Sequence, residues 1–232
     1  MPPKPKKPPR LPPLPRGART RAKLTYERLR ELYPAVTELA HHDPFQLLIA
    51  TILSAQTTDR SVNSITPELF NRYPTAADLA AADPAVVQEL IKPTGFFRLK
   101  TGRIIGASRK LVEMFGGEVP GNIEDLVQLP GIGRKTANVI LGVGFGVPGF
   151  AVDTHVKRLT NRLKLVSTKD PVKIERQVCS IVPKEEWTGL SLRLILHGRR
   201  ICIARRPRCE ECILNDFCPS SRTRPNRRNR NT

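Results

Sequence analysis

Apolar residues recur at helical spacing along most of the chain, for example in "DRSVNSITPELF" and in "RIIGASRKLVEMFG", which begins at Arg103, and we predict a helix over each. Strict alternation of apolar and polar positions is nearly absent. Segments such as "PAVVQELIK", "GRKTANVILGVG" and "DTHVKRLTNRL" open with Asp, Asn, Gly or Pro, and many close at Gly or Pro, as helix ends do. "LLIATILSA" is apolar on every side, which is typical of a central buried helix. The pattern predicts an all-α protein of about ten short helices with short connections.

The two ends of the sequence lack this pattern and carry most of the surplus charge. The formal net charge is +18, from 39 Lys and Arg against 21 Asp and Glu. Residues 1–23 hold eight of the basic residues and no acid, and residues 221–232 hold five arginines and no acid. We predict that both ends are disordered basic tails. The charge favours a polyanionic partner such as nucleic acid, the alternative being a soluble basic protein without such a partner.

Neither a signal peptide nor a membrane span is visible. The basic N-terminus is followed by no apolar segment of the kind that a signal peptide carries, and no stretch approaches the ~18 apolar residues of a span. We therefore expect no membrane partner and a location in the reducing cytoplasm. Clustered cysteines in that compartment indicate metal binding rather than disulfides.

Four cysteines are clustered near the end of the predicted folded part, with the spacing C-x6-C-x2-C-x5-C. Four thiolates so close along the chain suit tetrahedral zinc or an iron–sulfur cluster. Structural zinc sites usually use two close pairs, and the longer arms here favour the bulkier cluster. The cysteines are Cys202, Cys209, Cys212 and Cys218. The fifth, Cys179, lies on the apolar side of a predicted helix and is interpreted as a buried free thiol.

A Gly-x-Gly turn, "LPGIG", joins two predicted helices. Gly131 and Gly133 permit positive φ and close approach of another backbone, and the turn aims amide N–H groups outward at a helix start, where a phosphate is favoured. Arg134 and Lys135 follow in the first helical turn, although a helix dipole disfavours positive charge there. The spacing fits neither a nucleotide P-loop nor a Rossmann turn.

Lys135 is followed eighteen residues later by Asp153, in "AVDTH". An amine and a carboxylate can act together as a nucleophile and its proton acceptor. Each residue also has a simpler interpretation, because Lys135 can be a phosphate-binding cation. Asp153 can be a helix N-cap, worth about 1 kcal/mol.

Taken together, "LPGIGRKTA", "AVDTH", "SAQTTD" and the cysteine spacing resemble the endonuclease III family of the helix-hairpin-helix DNA glycosylase superfamily, over roughly residues 24–220. The resemblance implies two all-α domains. A six-helix barrel with the helix-hairpin-helix would span residues 37–147. An iron–sulfur domain built from 24–36 and 148–220 would carry a [4Fe-4S] cluster on the four cysteines.

The resemblance also implies the roles of individual residues. Lys135 would be the nucleophile and Asp153 would assist it. Gln56, by match to "SAQTTD", and Phe96, in "TGFF", would fill the space of an extruded base, although a leucine is commoner in the family at the second position. The residues implied to contact DNA through the hairpin are Gly131, Ile132, Gly133 and Arg134.

The implied function is that of a bifunctional DNA glycosylase and AP lyase. Such an enzyme excises oxidised pyrimidines in base excision repair and cleaves the strand by β-elimination. The implied partner is double-stranded DNA that contains damaged bases or abasic sites, bound by a monomer in the bacterial cytoplasm, at the nucleoid.

Two alternatives stay open from the sequence. A mismatch-specific adenine glycosylase shares the hairpin, the aspartate and the cluster, but that family lacks the catalytic lysine and carries an extra C-terminal domain. A non-enzymatic DNA-binding module with a zinc knob would need Lys135 only for affinity and would be colourless, whereas an iron–sulfur protein is brown.

Overall fold

The computed structural model describes residues 11–223, and this part of the chain is all-α, as predicted. It contains twelve α-helices and two 3-10 helices, and no strand occurs within the described range. The α-helices are α1 (Ala18–Leu32), α2 (Pro44–Leu53), α3 (Asp59–Asn63), α4 (Thr66–Arg72), α5 (Ala76–Ala80), α6 (Pro84–Ile91), α7 (Phe97–Phe115), α8 (Ile123–Leu126), α9 (Arg134–Gly144), α10 (Thr154–Arg162), α11 (Pro171–Cys179) and α12 (Trp187–Arg200). The 3-10 helices are Lys92–Thr94 and Lys184–Glu186.

Short polar side chains start many of these helices, as the sequence indicated. An Asp, Asn or Thr at the N-cap accepts a hydrogen bond from a backbone N–H of the first turn, which would otherwise lack a partner. At α5, Thr75 and Asp78 form a reciprocal capping box. The capping residues are Asp43, Thr58, Thr75, Asp83, Asn122, Asp153 and Asp170.

Several helix bounds differ from the prediction. The periodicity missed α5, whose five residues are too few to show a repeat. The predicted helix over "DRSVNSITPELF" is two helices, α3 and α4, because Pro67 cannot donate a backbone hydrogen bond and a new helix begins around it. α7 begins at Phe97 rather than at Arg103, so Gly102 lies inside a helix.

The described residues form two compact units. One, the hairpin unit, is Ala35–Ala151, and the other, the cysteine unit, comprises residues 11–34 and 152–223. The six-helix barrel over 37–147 and the cluster domain over 24–36 and 148–220 stay predictions in their bounds.

The hairpin unit has one apolar core, with α2 at its centre. Eight of the ten α2 residues are buried, as its all-apolar sequence predicted, and the helix packs against both α7 and α9. Every member of the core cluster lies between Leu39 and Leu141. Each fully buried leucine or isoleucine contributes about 1.5–3 kcal/mol relative to an exposed one, so this core dominates the stability of the unit.

The cysteine unit has a helical part with buried apolar side chains and a non-helical part, residues 201–223. α1 and α10 both pack against α12, and apolar side chains such as Leu29, Leu190 and Leu194 are fully buried there. Residues 201–223 contain no helix, and Leu214 is the one residue of that segment that is buried. This segment, which carries the four clustered cysteines, therefore has almost no apolar core of its own.

The predicted disordered tail over residues 1–23 needs correction at its inner end. α1 begins at Ala18, because Ala18, Ala22 and Leu29 form a buried stripe that the polar composition concealed. Ahead of it, the carbonyl oxygen of Pro12 accepts a hydrogen bond from Gln177 Nε2 at 2.7 Å. Residues 1–10, and residues 224–232 of the predicted C-terminal tail, lie outside the described residues.

None of the helices in the described range combines the length and the apolar character that are needed to cross a bilayer.

Candidate functional site

The hairpin turn lies between α8 and α9 and is fixed from below by two apolar side chains. Leu129 and Ile132 are 2% and 6% exposed and belong to the core of the hairpin unit. The Ile132 N–H donates to the Leu129 carbonyl at 3.1 Å, which closes the turn. Ile132, predicted as a DNA-contacting residue, is thus also a core residue that holds the turn in place.

The two glycines of the turn have different surroundings. Gly131 has φ of 84°, and a Cβ there would lie 3.2 Å from Arg103 Cδ of α7 and 3.4 Å from Ile52 Cγ2 of α2. Gly133 has φ of −99°, and a Cβ there would meet nothing within 4 Å. Gly131 therefore lets the turn approach two helices closely, while Gly133 faces open space.

The open side of the turn is the N-terminus of α9. Its N-cap is Gly133, which has no side chain to cover the first-turn amides, and the positive end of the helix dipole lies there. Arg134 and Lys135 are both exposed in this first turn. Backbone N–H groups beside two cations form a good binding site for a phosphate anion.

Lys135 is held in place by the opposite face of α9. Ala137, Ile140 and Leu141 are buried in the core, so the helix cannot rotate without exposing them. Asn138, also buried, donates from Nδ2 to the carbonyl of Phe150 at 3.4 Å. Sequence reasoning missed Asn138, although a lone amide in an apolar helix was a visible signal.

Asp153 is the N-cap of α10 and is half-buried. Its Oδ1 accepts a hydrogen bond from the Val156 N–H at 2.7 Å, so the simpler interpretation as a capping residue is correct as far as it goes. The cap holds the carboxylate in one orientation at the start of a helix whose Val156 and Leu159 are buried. Lys135 belongs to the hairpin unit and Asp153 to the cysteine unit, and their joint action stays a prediction.

Gln56 and Phe96 share an unusual backbone conformation. Both have positive φ, 56° and 48°, and Lys164 is the third non-glycine residue of the described range to do so. Such a conformation costs about 1–3 kcal/mol and is concentrated at functional positions. Both side chains are exposed, and Phe96 is 63% exposed. A strained backbone that presents a large ring to solvent agrees with the predicted role of filling a base stack.

All three elements of this site meet at the same helices. Gln56 follows α2, Phe96 immediately precedes α7, and the hairpin turn touches α2 and α7 through Gly131. Because α2 packs against both α7 and α9, the hairpin and the two exposed residues are attached to helices of one core.

The four cysteines line a single cavity in the cysteine unit. The pKa of the Cys212 thiol is raised to about 11, mainly by burial and in smaller part by the negative charges of Cys202, Cys218 and Cys209. Thiolates packed in this way need a compensating positive charge, which a metal centre supplies. No three His, Cys, Asp or Glu side chains in residues 11–223 meet closely enough to hold one ion. Four thiols around one cavity are the ligand set that the sequence analysis assigned to an iron–sulfur cluster or a zinc ion.

Arginine side chains hold the irregular cysteine segment. Arg158 Nη2 donates to the carbonyls of Cys202 and Gly198, each at 2.9 Å. Arg162 donates to the Ala204 carbonyl at 2.6 Å, and its Nη1 lies 3.3 Å from Cys202 Sγ. Sequence reasoning missed these arginines, because their partners are about forty positions away along the chain.

A buried histidine, His197, contacts one of these cysteines. His197 Nε2 lies 3.3 Å from Cys212 Sγ, and its Nδ1 lies 3.3 Å from the Tyr33 hydroxyl. Burial lowers the pKa of His197 to about 4, so the ring is neutral near pH 7. A cluster-bound thiolate only accepts hydrogen bonds, so we assign the proton to Nε2, and the Tyr33 hydroxyl then donates to Nδ1.

Comparison with known proteins agrees with both parts of this description. Residues 49–184 match the family described as "HhH-GPD superfamily base excision DNA repair protein", and residues 202–218 match "Iron-sulfur binding domain of endonuclease III". A relative from Synechocystis sp. (strain ATCC 27184 / PCC 6803 / Kazusa), named Endonuclease III, is 52% identical over 195 residues, which cover 83% of this chain and 89% of the relative.

The chain belongs to the endonuclease III family.

Solved structures of endonuclease III have the same fold. "Structure of a non-covalent Endonuclease III-DNA Complex" is similar with a TM-score of 0.82 and 39% identity, covering 87% of this chain and 95% of that one. "Structure of a Trapped Endonuclease III-DNA Covalent Intermediate: Estranged-Adenine Complex" is similar with the same TM-score and identity, covering 87% and 96%.

Family membership confirms several predictions at once. The all-α glycosylase fold and the [4Fe-4S] cofactor are confirmed, and the zinc alternative is set aside. Cys202 and Cys218 are the first and last residues of the matched iron–sulfur segment. As a member of the endonuclease III family, the chain is an enzyme of base excision DNA repair.

Proposed function

We propose that this member of the endonuclease III family excises oxidised pyrimidines from double-stranded DNA through Lys135 and then cleaves the strand at the resulting abasic site. The observation that carries the proposal is the exposed Lys135 in the first turn of α9, directly after the uncovered N-cap Gly133. We further propose that the enzyme acts as a monomer in the cytoplasm, at the nucleoid.

The first step is the binding of a phosphate at the hairpin. The amides at the start of α9 and the Arg134 guanidinium attract a backbone phosphate without reading the base sequence. Gly133 leaves the approach open because it carries no side chain. A phosphate held there would bring the deoxyribose of the adjoining nucleotide to the Lys135 amine.

The second step is the extrusion of the damaged nucleotide. Flipping a base costs a few kcal/mol, and less for a damaged base, which stacks and pairs poorly. Gln56 and Phe96 are suited to fill the vacated space because both are exposed on backbone that the hairpin unit holds in a left-handed conformation.

The chemical steps use the Lys135 amine. In its neutral form it attacks C1′ of the deoxyribose, the N-glycosidic bond breaks, and the base leaves with a proton. The ring then opens to a Schiff base between C1′ and Nζ, which makes a C2′ proton acidic. Loss of that proton and of the 3′ phosphate by β-elimination breaks the strand.

Asp153 and the cluster have supporting roles. The Asp153 carboxylate accepts the proton that Lys135 must lose and stabilises the developing positive charge on the sugar. The cap to Val156 fixes that carboxylate in advance. When bound, the [4Fe-4S] cluster supplies a rigid or redox-active centre, held by Cys202, Cys209, Cys212 and Cys218.

The test compares Lys135→Gln with the wild type on duplex DNA carrying one oxidised pyrimidine. Borohydride should trap the wild-type protein covalently on the DNA, and Lys135→Gln should not be trapped. Base release and strand cleavage should fall by several orders of magnitude, whereas binding should weaken only by one charge contact. Lys157→Gln, at a half-buried lysine that has no proposed role, is the control.

Two further outcomes delimit the proposal. Asp153→Asn should bind normally and turn over slowly, with residual trapping, because the amine is still present. If Lys135→Gln forms the reduced adduct at the wild-type rate, another amine is the nucleophile. A panel of oxidised, reduced and mismatched bases then decides the preferred lesion.

A further inference from the structure

Lys100 is the most buried charged side chain that the proposed reaction does not use. It lies in the first turns of α7 and is only 1% exposed, among the largest fully buried side chains of the described residues. Its Nζ donates to the Thr94 carbonyl at 2.7 Å, and burial lowers the pKa of its amine. Burying the Lys100 amine costs desolvation free energy, which a methionine of similar length would avoid. A lysine at this position therefore needs an explanation.

Lys100 donates hydrogen bonds to the preceding segment from both its side chain and its backbone. The Lys100 N–H donates to the Phe96 carbonyl at 3.0 Å, while its side chain binds the Thr94 carbonyl. Lys100 therefore grips the chain on both sides of Gly95. One residue thus donates both of the hydrogen bonds that hold this segment to α7.

The gripped segment is the strained one. Gly95 has φ 67° and ψ 162°, a combination that only glycine adopts readily, and Phe96 has φ 48° and ψ 28°. Upstream, Thr94 Oγ1 donates to the Ile91 carbonyl at 2.7 Å and Ser61 Oγ to the Pro93 carbonyl at 3.1 Å. These bonds fix the start of the turn, and the two bonds from Lys100 fix its end, where Phe96 projects.

We propose that Lys100 is the positioning residue for Phe96, because its buried amine locks the Thr94–Phe96 turn so that the phenyl ring stays exposed and ready to enter the base stack. This inference rests on the proposed function of Phe96. A free turn would let Phe96 relax to an ordinary backbone conformation and bury part of its ring, and each extrusion would then have to reorder the turn.

The test uses Lys100→Met, which keeps the length of the side chain and removes its donors. The matched control is Lys92→Met, at a lysine of the same turn whose side chain is 58% exposed and pairs with Glu89 at the surface. Hydrogen exchange of the free protein should show the amides of Gly95 and of residue 100, which donate to the Lys92 and Phe96 carbonyls, exchanging about tenfold or more faster in Lys100→Met. Amides of α2 should be unchanged, and Lys92→Met should match the wild type.

The second arm measures extrusion with a 2-aminopurine base beside an abasic site in duplex DNA. The fluorescence rise should be about tenfold slower in Lys100→Met, since the turn must be ordered during each event. In a Phe96→Ala background, the Lys100→Met change should have no further effect, because the residue through which it acts is gone. Phe96→Ala alone gives the reference rate.

Each result decides something definite. Wild-type exchange in the turn of Lys100→Met overturns the proposal, as does a slowing of extrusion that persists in the Phe96→Ala background. A cooperative loss of fold across the hairpin unit also overturns it, since Lys100 would then be a core residue. If Phe96→Ala alone leaves extrusion unchanged, the proposed function of Phe96 fails, while the hydrogen-exchange arm, which needs no DNA, still tests the grip.

Discussion

The hairpin unit and the cysteine segment (residues 201–223) are held together by different forces. In the hairpin unit, a continuous apolar core surrounds α2, and the site residues project from helices that share this core. In the cysteine segment only Leu214 is buried, and Arg158 and Arg162 of α10 donate hydrogen bonds to its Cys202 and Ala204 carbonyls. One region is stabilised by apolar packing and the other by polar contacts and its metal ligands.

This difference determines how far the destabilising effect of a substitution spreads in each region. An apolar core is cooperative, so damage at one point lowers the stability of the whole unit. A segment held by ligands and hydrogen bonds can open locally, while the rest of the protein stays folded. We therefore expect a substitution in the hairpin unit to lower the stability of that whole unit, and a substitution in the cysteine segment to unfold that segment alone.

The largest effect should come from exchanging a metal ligand. Cys212→Ser removes one corner of the cluster site, and because the segment has almost no apolar core, residues 201–223 should lose their structure. The expected result is complete loss of the broad visible absorption, with rapid hydrogen exchange confined to this segment. Visible spectra and hydrogen exchange of purified protein measure both.

The counterpart is a core substitution in the hairpin unit. Leu48→Ala, at a fully buried position of α2, should lower the free energy of unfolding by about 2–5 kcal/mol and leave the visible absorption intact. If Cys212→Ser destabilised the hairpin unit as much as Leu48→Ala does, the separation between the two regions would be wrong.

A pH effect of intermediate size should be confined to the cysteine unit. His197 has a pKa of about 4 in the folded protein and near 6.5 when unfolded, so the unfolded state binds the extra proton between these values. The free energy of unfolding should therefore fall as pH drops from about 6.5 to about 4, by on the order of 3 kcal/mol, and level off below. Denaturant unfolding followed by visible absorption measures it.

The control for this pH effect is His197→Gln. Glutamine at position 197 does not bind a proton between pH 6.5 and 4. The free energy of unfolding of this variant should therefore change less with pH over that range than that of the wild type. Parallel curves for the two proteins would show that another group causes the dependence.

The smallest effects should come from the two hairpin glycines, which form a matched pair. Gly131→Ala forces a side chain onto φ of 84° and toward Arg103, and should cost about 1–3 kcal/mol of stability. Gly133→Ala meets open space at an ordinary φ and should change stability by about 0.5 kcal/mol or less. Gly133→Ala should nevertheless weaken DNA binding, because its methyl group stands where the phosphate approaches.

Thermal denaturation and titration with undamaged duplex DNA separate the two glycine variants. Equal losses of stability would mean that the turn tolerates a side chain no better at Gly133 than at Gly131. An unchanged affinity for Gly133→Ala would place the phosphate elsewhere.

The local parts of this structure could be predicted from the sequence. α9 begins at Arg134 directly after the glycine turn, and Asp153 caps α10, because both features depend on residues next to each other in the chain. The buried α2 was predictable from an apolar run without a polar face. That apolar pattern, too, can be recognised from neighbouring residues alone.

Apart from helix bounds and Asn138, most of the missed features depend on contacts that the sequence does not show. Arg158 and the Gly198 carbonyl are forty positions apart, and Gln177 and Pro12 are 165 apart. Lys100 is an ordinary helical lysine in the sequence, and only the fold shows that it points inward. The inner end of the predicted N-terminal tail was wrong for the same reason, since the stripe that buries Ala18 needs partners supplied much later in the chain.

The cysteine unit is formed by two chain segments that are separated by the whole hairpin unit, so its parts are synthesised at different times. α1 leaves the ribosome first, but α10 and α12, with which it shares a unit, follow only after the roughly 120 residues of the hairpin unit have been made, about 6–24 s later. During that interval the buried stripe of α1 is exposed to chaperones and to other nascent chains. The hairpin unit can fold in the meantime, and the cluster can be inserted only once Cys218 has emerged.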